Sequence, residues 1–385
     1  MERSEILKIE NRVWNSVKNE NSIGLLKGLS GIALFYSKLF EVYEDEKYVT
    51  RLLEVVERID ELVSKNTPSY TFYSGLAGYG WMLLNLKKNI VAVSETYFET
   101  LDSILEEALL SFSNKNNYDF LHGATGVAMY FIERLKAEKN NANVLTILTH
   151  FSKDFLDKLI HDLDKVIVSI ENEGKKKVIY FGLAHGISSF INFLFYLSKY
   201  IQSLEPEIKQ ALIKLINFLK SKKSFNTISQ QYYPNYIDNH GTVSVSRLGW
   251  CQGDLGIGLS LYNAGILLND NTIKKEAIEL ITSTEKVSLK ASAVYDCVLC
   301  HGSAGLVVQY YLAQKKGALD TKEIQKRWYR ELEKQTGNFT TFKTYVYPDF
   351  IENSNILTGV TGIVLMLLTL DGKIESDWLR SLNLH

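Results

Sequence analysis

Gly28-Leu29-Ser30-Gly31-Ile32-Ala33-Leu34-Phe35-Tyr36 is a small-residue turn running straight into a stretch that is apolar on almost every side. The same text returns six more times, with its first glycine at Gly75, Gly123, Gly186, Gly253, Gly302 and Gly359. Six turns close with a second glycine three residues on, at Gly31, Gly78, Gly126, Gly256, Gly305 and Gly362, whereas the fourth has Ser189 there. A helix that is hydrophobic all round is a buried helix. Between the buried stretches lie amphipathic segments, clearest over residues 47–65, where Val49, Leu52, Leu53, Val56, Ile59 and Val63 fall on one face with Glu and Arg opposite. One buried and one amphipathic helix per unit is the mark of a repeat architecture. Seven such hairpins predict an all-α fold, an α/α toroid in which a double ring of helices gathers all seven turns at one end. Glycine at each inner helix start lets the backbones crowd together there.

At 385 residues the chain exceeds the usual single hydrophobic core, a limit of about 250 to 300 residues, which repeats circumvent. We read residues 1–385 as a single toroid domain. Hydrophobic residues at 46%, charged residues at 23% and only four prolines fit a folded protein of long helices. A formal net charge of -1 offers no field for nucleic acid, so no nucleic-acid partner is expected. The charged N-terminus lacks the apolar core of a secretory signal. The longest nearly apolar stretch, residues 356–370, is too short for the roughly 20 residues of a membrane span. A cytoplasmic location follows as the expectation, and three cysteines there argue against a disulfide framework.

Two of the longer intervals carry other material. Residues 166–170, the turn Glu171-Asn172-Glu173-Gly174 and residues 177–180 read as a short β-hairpin, an insertion near 163–181. Residues 224–246, rich in Asn, Tyr, Gln and Ser, read as a long surface loop before the fifth turn.

Ligand-type and titratable residues decorate four consecutive turns: Asp119 and His122 at the third, His185 at the fourth, Arg247 and Cys251 at the fifth, Cys300 and His301 at the sixth. The first, second and seventh turns read as helix-packing turns alone. If the fifth and sixth turns face one cavity, Cys251, Cys300 and His301 make a three-ligand site for one zinc ion. Three protein ligands leave the fourth tetrahedral position open, the pattern of a catalytic rather than a structural site.

Taken together, Trp250-Cys251-Gln252-Gly253, Cys300-His301-Gly302 and the seven ordered turns resemble the lanthionine synthetase C-like proteins, and among them the stand-alone cyclases of class I lanthipeptide biosynthesis. The resemblance covers nearly the whole chain. It implies one Zn2+ ion held by Cys251, Cys300 and His301, and a reaction in which cysteine thiols of a dehydrated, leader-bearing precursor peptide add to dehydroalanine or dehydrobutyrine, giving thioether rings. It also implies active-site roles for His185 as acid/base, for Asp119 and for Arg247. Partners implied are a separate dehydratase and an exporter, with membrane association through the exporter complex. No fused dehydratase is expected, because the turns occupy the chain from Gly28 to Gly362. Two departures stand out: Gln252 where the family commonly has tyrosine, and Ser189 for the usual glycine.

The chemistry of these residue types agrees. A free thiol titrates near 8.5 and is mostly protonated at neutral pH, whereas a zinc-bound one is deprotonated. Addition leaves an enolate that needs stabilisation and then a proton at the α-carbon, a role for His185; Asp119 would orient that imidazole or hold the Arg247 side chain, and Arg247 would stabilise the enolate or a peptide carbonyl. Other readings remain at this level. Cys297 and Cys300 form a C-x-x-C, so a redox pair competes with a buried Cys297. Arg247 reads equally as a loop ion pair, Asp119 as a helix cap, and His122 as either cavity lining or a turn cap. His150, His161, His240 and His385 read as surface residues. Zinc-dependent thiol alkylation of the protein prenyltransferase kind, or a non-catalytic zinc-containing peptide-binding protein, would use the same elements.

Overall fold

The computed structural model describes residues 3–86, 90–171 and 176–384. Helix α1 (Arg3–Val17) precedes the first turn. The seven turns then lead into α2 (Leu29–Tyr43), α4 (Leu76–Asn85), α6 (Ala124–Ala137), α9 (Ile187–Leu197), α11 (Asp254–Leu267), α14 (Ser303–Lys315) and α16 (Val360–Leu370). Each packs on the next and α16 returns to α2, so these helices close an inner ring. The outer layer is α3 (Glu46–Lys65), α5 (Glu95–Asn114), α7 (Ala142–His161), α10 (Glu205–Lys222), α12 (Asn271–Thr284) and α15 (Lys322–Gln335). No outer helix follows α16, and α1 from the other end of the chain lies against it instead. The predicted toroid of inner and outer helices is the observed fold. Its buried apolar residues form one continuous cluster from Ile6 to Leu384.

The two layers begin differently. Four of the six outer helices carry side-chain caps, with Asp45, Ser94, Asn141 and Asp270 each accepting a first-turn N–H, an arrangement worth about 1 kcal/mol apiece; α10 and α15 lack one. Inner helices start at glycine with no side-chain cap. Their first N–H groups bond back to the preceding loop, as in Leu76 N to Ser69 O at 2.8 Å and Ser303 N to Asp296 O at 3.0 Å. The loop therefore folds over the helix end, and the second glycine makes room for it: a Cβ on Gly305 would sit 2.0 Å from Leu299 O.

Three sequence expectations need adjustment. On α3 the buried stripe is Tyr48, Leu52, Val55, Ile59 and Leu62, and Leu53 is exposed. Tyr48, Val55 and Leu62 complete an alternating four-three row that the aliphatic residues alone misplace. In the first insertion, Val166 and Ile167 belong to a short helix, α8 (Asp164–Ile167), and the hairpin is β1 (Val168–Glu171) with β2 (Lys176–Tyr180). The turn expected at 172–174 lies outside the described residues, as does His385. Residues 224–246 are only partly loop: β3 (Tyr236–Asp238) pairs with β2 to make a three-stranded antiparallel sheet, and Ser229, Gln231 and Tyr233 are buried. A short helix, α13 (Leu289–Ser292), precedes the sixth turn, and a second hairpin, β4 (Lys343–Val346) with β5 (Asp349–Glu352), was not anticipated.

The bore of the inner ring is filled by the chain's own tail. Asp377 meets Lys38 of α2, Trp378 Nε1 donates to Thr369 Oγ1 of α16, and Arg380 reaches Glu133 of α6 and Asn85 of α4. Further in, Leu382 O accepts from Trp250 Nε1 at 2.9 Å, and Asn383 exchanges hydrogen bonds with Ser189 O and Asn192 of α9. The tail thus reaches up to the fourth and fifth turns and supports them from below. Among the described residues no helix is long and apolar enough to cross a membrane.

Candidate functional site

The residue two positions before each turn's first glycine donates its N–H to the carbonyl of its counterpart on the neighbouring turn. Leu357 donates to Leu26, Leu26 to Tyr73 and Tyr73 to Leu121, at 3.1 to 3.2 Å; Ala184 donates to Cys251, Cys251 to Cys300 and Cys300 to Leu357, at 3.0 to 3.3 Å. This backbone circuit stitches six of the seven joints. Between Leu121 of the third turn and Ala184 of the fourth there is no such bond among the described residues. That joint is bridged by side chains instead.

At the stitched joints the fit is close. A Cβ on Gly182 would lie 2.1 Å from Cys251 O, and Gly253 holds a φ of 106°, a backbone that side-chain-bearing residues rarely adopt. Trp250 N also donates to Cys300 O, at 2.9 Å, so the two cysteines stand on backbone fixed in one register. Both are half-buried free thiols. Cys300 donates to Cys251 and, against the cost of burial, holds the Cys251 thiol down at about 7, with His301, Arg247 and His185 adding to the pull. Cys300, kept protonated by that same bond and by burial, is pushed well above its ordinary range.

His301 Nε2 lies 3.0 Å from Asp296 Oδ2, off the ideal hydrogen-bond direction. Asp296 is buried and held in place: its Oδ2 also accepts from Tyr345 N at 2.7 Å and Thr344 Oγ1 at 3.2 Å, both on β4. Burial would raise its carboxyl, but His301 and these donors outweigh burial and hold it below the usual range. With Nε2 turned to a carboxylate, Nδ1 is the nitrogen that could serve a metal, the arrangement common behind metal-binding histidines. Among the described residues no three His, Cys, Asp or Glu side chains are drawn to one point. The donor set nonetheless fits zinc: two thiols close enough to perturb each other, and a carboxylate-backed imidazole on the residue adjoining one of them.

At the side-chain joint, His185 Nδ1 and Asp119 Oδ2 are 2.7 Å apart, and Asp119 Oδ1 accepts from His122 N at 2.7 Å. Asp119 therefore both caps its loop and orients the imidazole. Burial lowers the His185 pKa, but Asp119 overcomes it and the net shift is upward. His122 lines the cavity, its ring stacked on His185 at 5.8 Å between centroids and edge-on to Tyr73. Although open to solvent at the rim, it is dehydrated enough, and close enough to His185, to be lowered.

Arg247 is half-buried, near enough to affect both cysteines, and has no ion-pair partner among the described residues, so the loop salt bridge is not formed. Gln252 Oε1 is buried without a hydrogen-bond partner beside Cys251. Ser189 leaves the fourth turn undistorted: Gly186 has φ -121° and ψ -168°, like Gly302 at -106° and -178°. Cys297 is buried, donates to Lys343 O at 3.5 Å, and is pushed up to about 12 by burial, a structural thiol rather than a redox partner. His150, His161 and His240 are exposed as expected.

Two contributors escaped the sequence reading. Asp296 stands six residues before Gly302, the offset at which Arg247 precedes Gly253, and that parallel was a usable signal. Tyr73, on the second turn, has its phenol raised by burial and by Cys300 nearby, and nothing in its local sequence marks it.

A ring of glycine turns with a cysteine pair at one joint and an Asp–His pair at another defines a class, and the family comparison agrees: residues 19–382 match the lanthionine synthetase C-like protein model. The chain belongs to that family. Among solved structures it is similar to one described as nisin cyclase, at 19% sequence identity and a TM-score of 0.79, over 100% of this chain and 98% of that one.

Proposed function

We propose that the protein is a zinc-dependent lanthipeptide cyclase, adding cysteine thiols of a dehydrated precursor peptide to dehydroalanine or dehydrobutyrine. The observation that carries this reading is the Asp119–His185 pair, 2.7 Å apart, standing two joints along the ring from the Cys251–Cys300 pair, which has Arg247 uncompensated beside it. Family membership and the fold shared with nisin cyclase support it. Cys251, Cys300 and His301 would hold the zinc, with Asp296 fixing the imidazole. Bound there, zinc lowers the pKa of a coordinated thiol so that it is a thiolate at neutral pH.

The chain's own groups account for the rest. Overall, the S–H bond and the α,β carbon–carbon π bond of the dehydro residue are exchanged for a C–S bond at the β-carbon and a C–H bond at the α-carbon, with no leaving group and no external oxidant or reductant. Arg247, free of a carboxylate partner, faces the negative charge that develops on the carbonyl oxygen. Gln252 Oε1 is open to accept a peptide N–H. Asp119 orders the imidazole so that Nδ1–H points at the carboxylate, and the other nitrogen delivers the proton to the α-carbon. Its raised pKa keeps a protonated fraction available near neutrality.

A leader-bearing precursor peptide is then the substrate, dehydrated by another protein, and association with that dehydratase and an exporter on the cytoplasmic side fits the family. Incubating the zinc-loaded protein with dehydrated precursor and counting free thiols tests the proposal. Loss of thiols without change of peptide mass is expected, and an unchanged thiol count would refute it.

A further inference from the structure

The unstitched joint opens into a cavity of about 850 Å³, with Asp119, His122 and His185 in its lining. One wall comes from the third turn, Lys115 to Asp119; the other includes all four residues of β1, Val168, Ser169, Ile170 and Glu171. Successive side chains of a strand point to opposite faces. A wall to which four consecutive strand residues contribute includes the strand's backbone edge, and Lys177 and Tyr180 of β2 carry the lining on to the sheet.

That edge is open. The sheet runs β1-β2-β3; the outer side of β3 is occupied by the Ile237–Val243 bridge, and β1 pairs with β2 alone. Among the described residues, Ser169, Ile170 and Glu171 make no backbone hydrogen bond outside the hairpin. Edge strands are normally guarded by proline, a bulge or a covering element. The β1 sequence has no proline, its register with β2 is unbroken, and Ile170 is 65% exposed.

We propose that the substrate peptide binds here by strand addition, an extended segment pairing with β1 so that its neighbouring residues reach His185. This rests on the cyclase reading and supplies its docking mode. Four β1 residues span about 13 Å, enough to grip three or four peptide residues. The cavity, at about 850 Å³, has room for a peptide segment of a few residues. Backbone pairing gives affinity without reading side chains, which suits a catalyst presented with thiols and dehydro residues in differing local sequences. The continuity of the edge with Asp119 and His185 names the occupant: the strand that pairs here is the one undergoing reaction.

The test uses the zinc-loaded full chain and a synthetic ten-residue peptide containing one cysteine and one dehydroalanine, beside a twin N-methylated at alternate amides away from the reacting residues. The unmodified peptide is expected to slow hydrogen–deuterium exchange over residues 166–171, and the twin to bind about tenfold more weakly, the effect of losing one or two net backbone hydrogen bonds. Equal affinity of the twin together with unchanged exchange overturns strand addition; if thiols are still consumed, the cyclase reading survives alone. Protection of β1 with thiols untouched would leave strand addition standing and remove the cyclase reading. Protection that appears without peptide and rises with protein concentration would assign the edge to a second copy of the chain and overturn the proposal.

Discussion

The joint between the fifth and sixth turns and the joint between the third and fourth are built from the same turn, yet they differ in how they are held. At the former, two N–H groups converge on Cys300 O, a glycine allows close approach, and a buried carboxylate stands behind His301. At the latter, the circuit of backbone bonds lapses, the Asp119–His185 pair bridges the gap, and the cavity opens beside it. The comparison teaches a division of labour. On the proposed mechanism, the groups that would hold a metal stand where the ring is locked, and the group that would exchange protons with a substrate stands where the ring opens.

The largest effects should come from breaking the locked joint. Cys300→Ala or His301→Ala is expected to abolish zinc retention, read as metal per chain after dialysis, and to stop thiol consumption with it. At the open joint, His185→Ala should keep its zinc while thiol consumption falls about 10²- to 10⁴-fold. Zinc loss in that variant would erase the distinction between the two joints. Asp119→Asn should fall by less and show a pH signature. The carboxylate raises His185 against burial, so its removal lets burial dominate, lowers that pKa, and moves the alkaline limb of the rate profile to lower pH. An unmoved limb would mean that His185 is not the group titrating.

Asp296→Asn sharpens the same contrast from behind the metal site. Zinc affinity measured by chelator competition should weaken about 10- to 100-fold, with the fold intact. An unchanged affinity would reduce Asp296 to an anchor for β4.

The smallest expected effect concerns the link between the fifth turn and the loop that carries Arg247. Asp254 is buried, accepts from Tyr232 N and Tyr233 N, and is raised to about 7 because burial outweighs those donors. A carboxyl raised on folding favours the folded state below its unfolded pKa, and that contribution is lost as pH rises through the folded value. Wild-type stability should therefore decline between about pH 4 and pH 7 by an amount on the order of a few kcal/mol, and Asp254→Asn should flatten that slope. Melting temperatures across the range read it; parallel slopes would exclude Asp254 as the source.

Much of this molecule was legible because its key elements announce themselves locally. A glycine turn followed by an all-apolar helix carries its own burial, and seven copies carry the ring. Cys251, Cys300 and His301 were singled out through turn register, and His185 and Asp119 through position on adjacent turns; the structure sets the two cysteines side by side and pairs His185 with Asp119. What stayed hidden depends on partners far along the chain. Asp296 acquires its meaning from Tyr345, on a hairpin whose short strands have few local signals. The stripe on α3 was displaced because Tyr48, a residue that can face either way, is wholly buried. The lapse between Leu121 and Ala184 has no sequence mark at all, since both sit at the register position occupied by Leu26 and Leu357, where the bond does form.

The most direct test of the account is a paired reading of free thiols and bound zinc in wild type and His185→Ala, each given the same dehydrated precursor. The account predicts that both proteins carry one zinc and that only the wild type consumes thiols at an appreciable rate. Thiol consumption by His185→Ala at the wild-type rate, or by wild type stripped of its zinc, would contradict it.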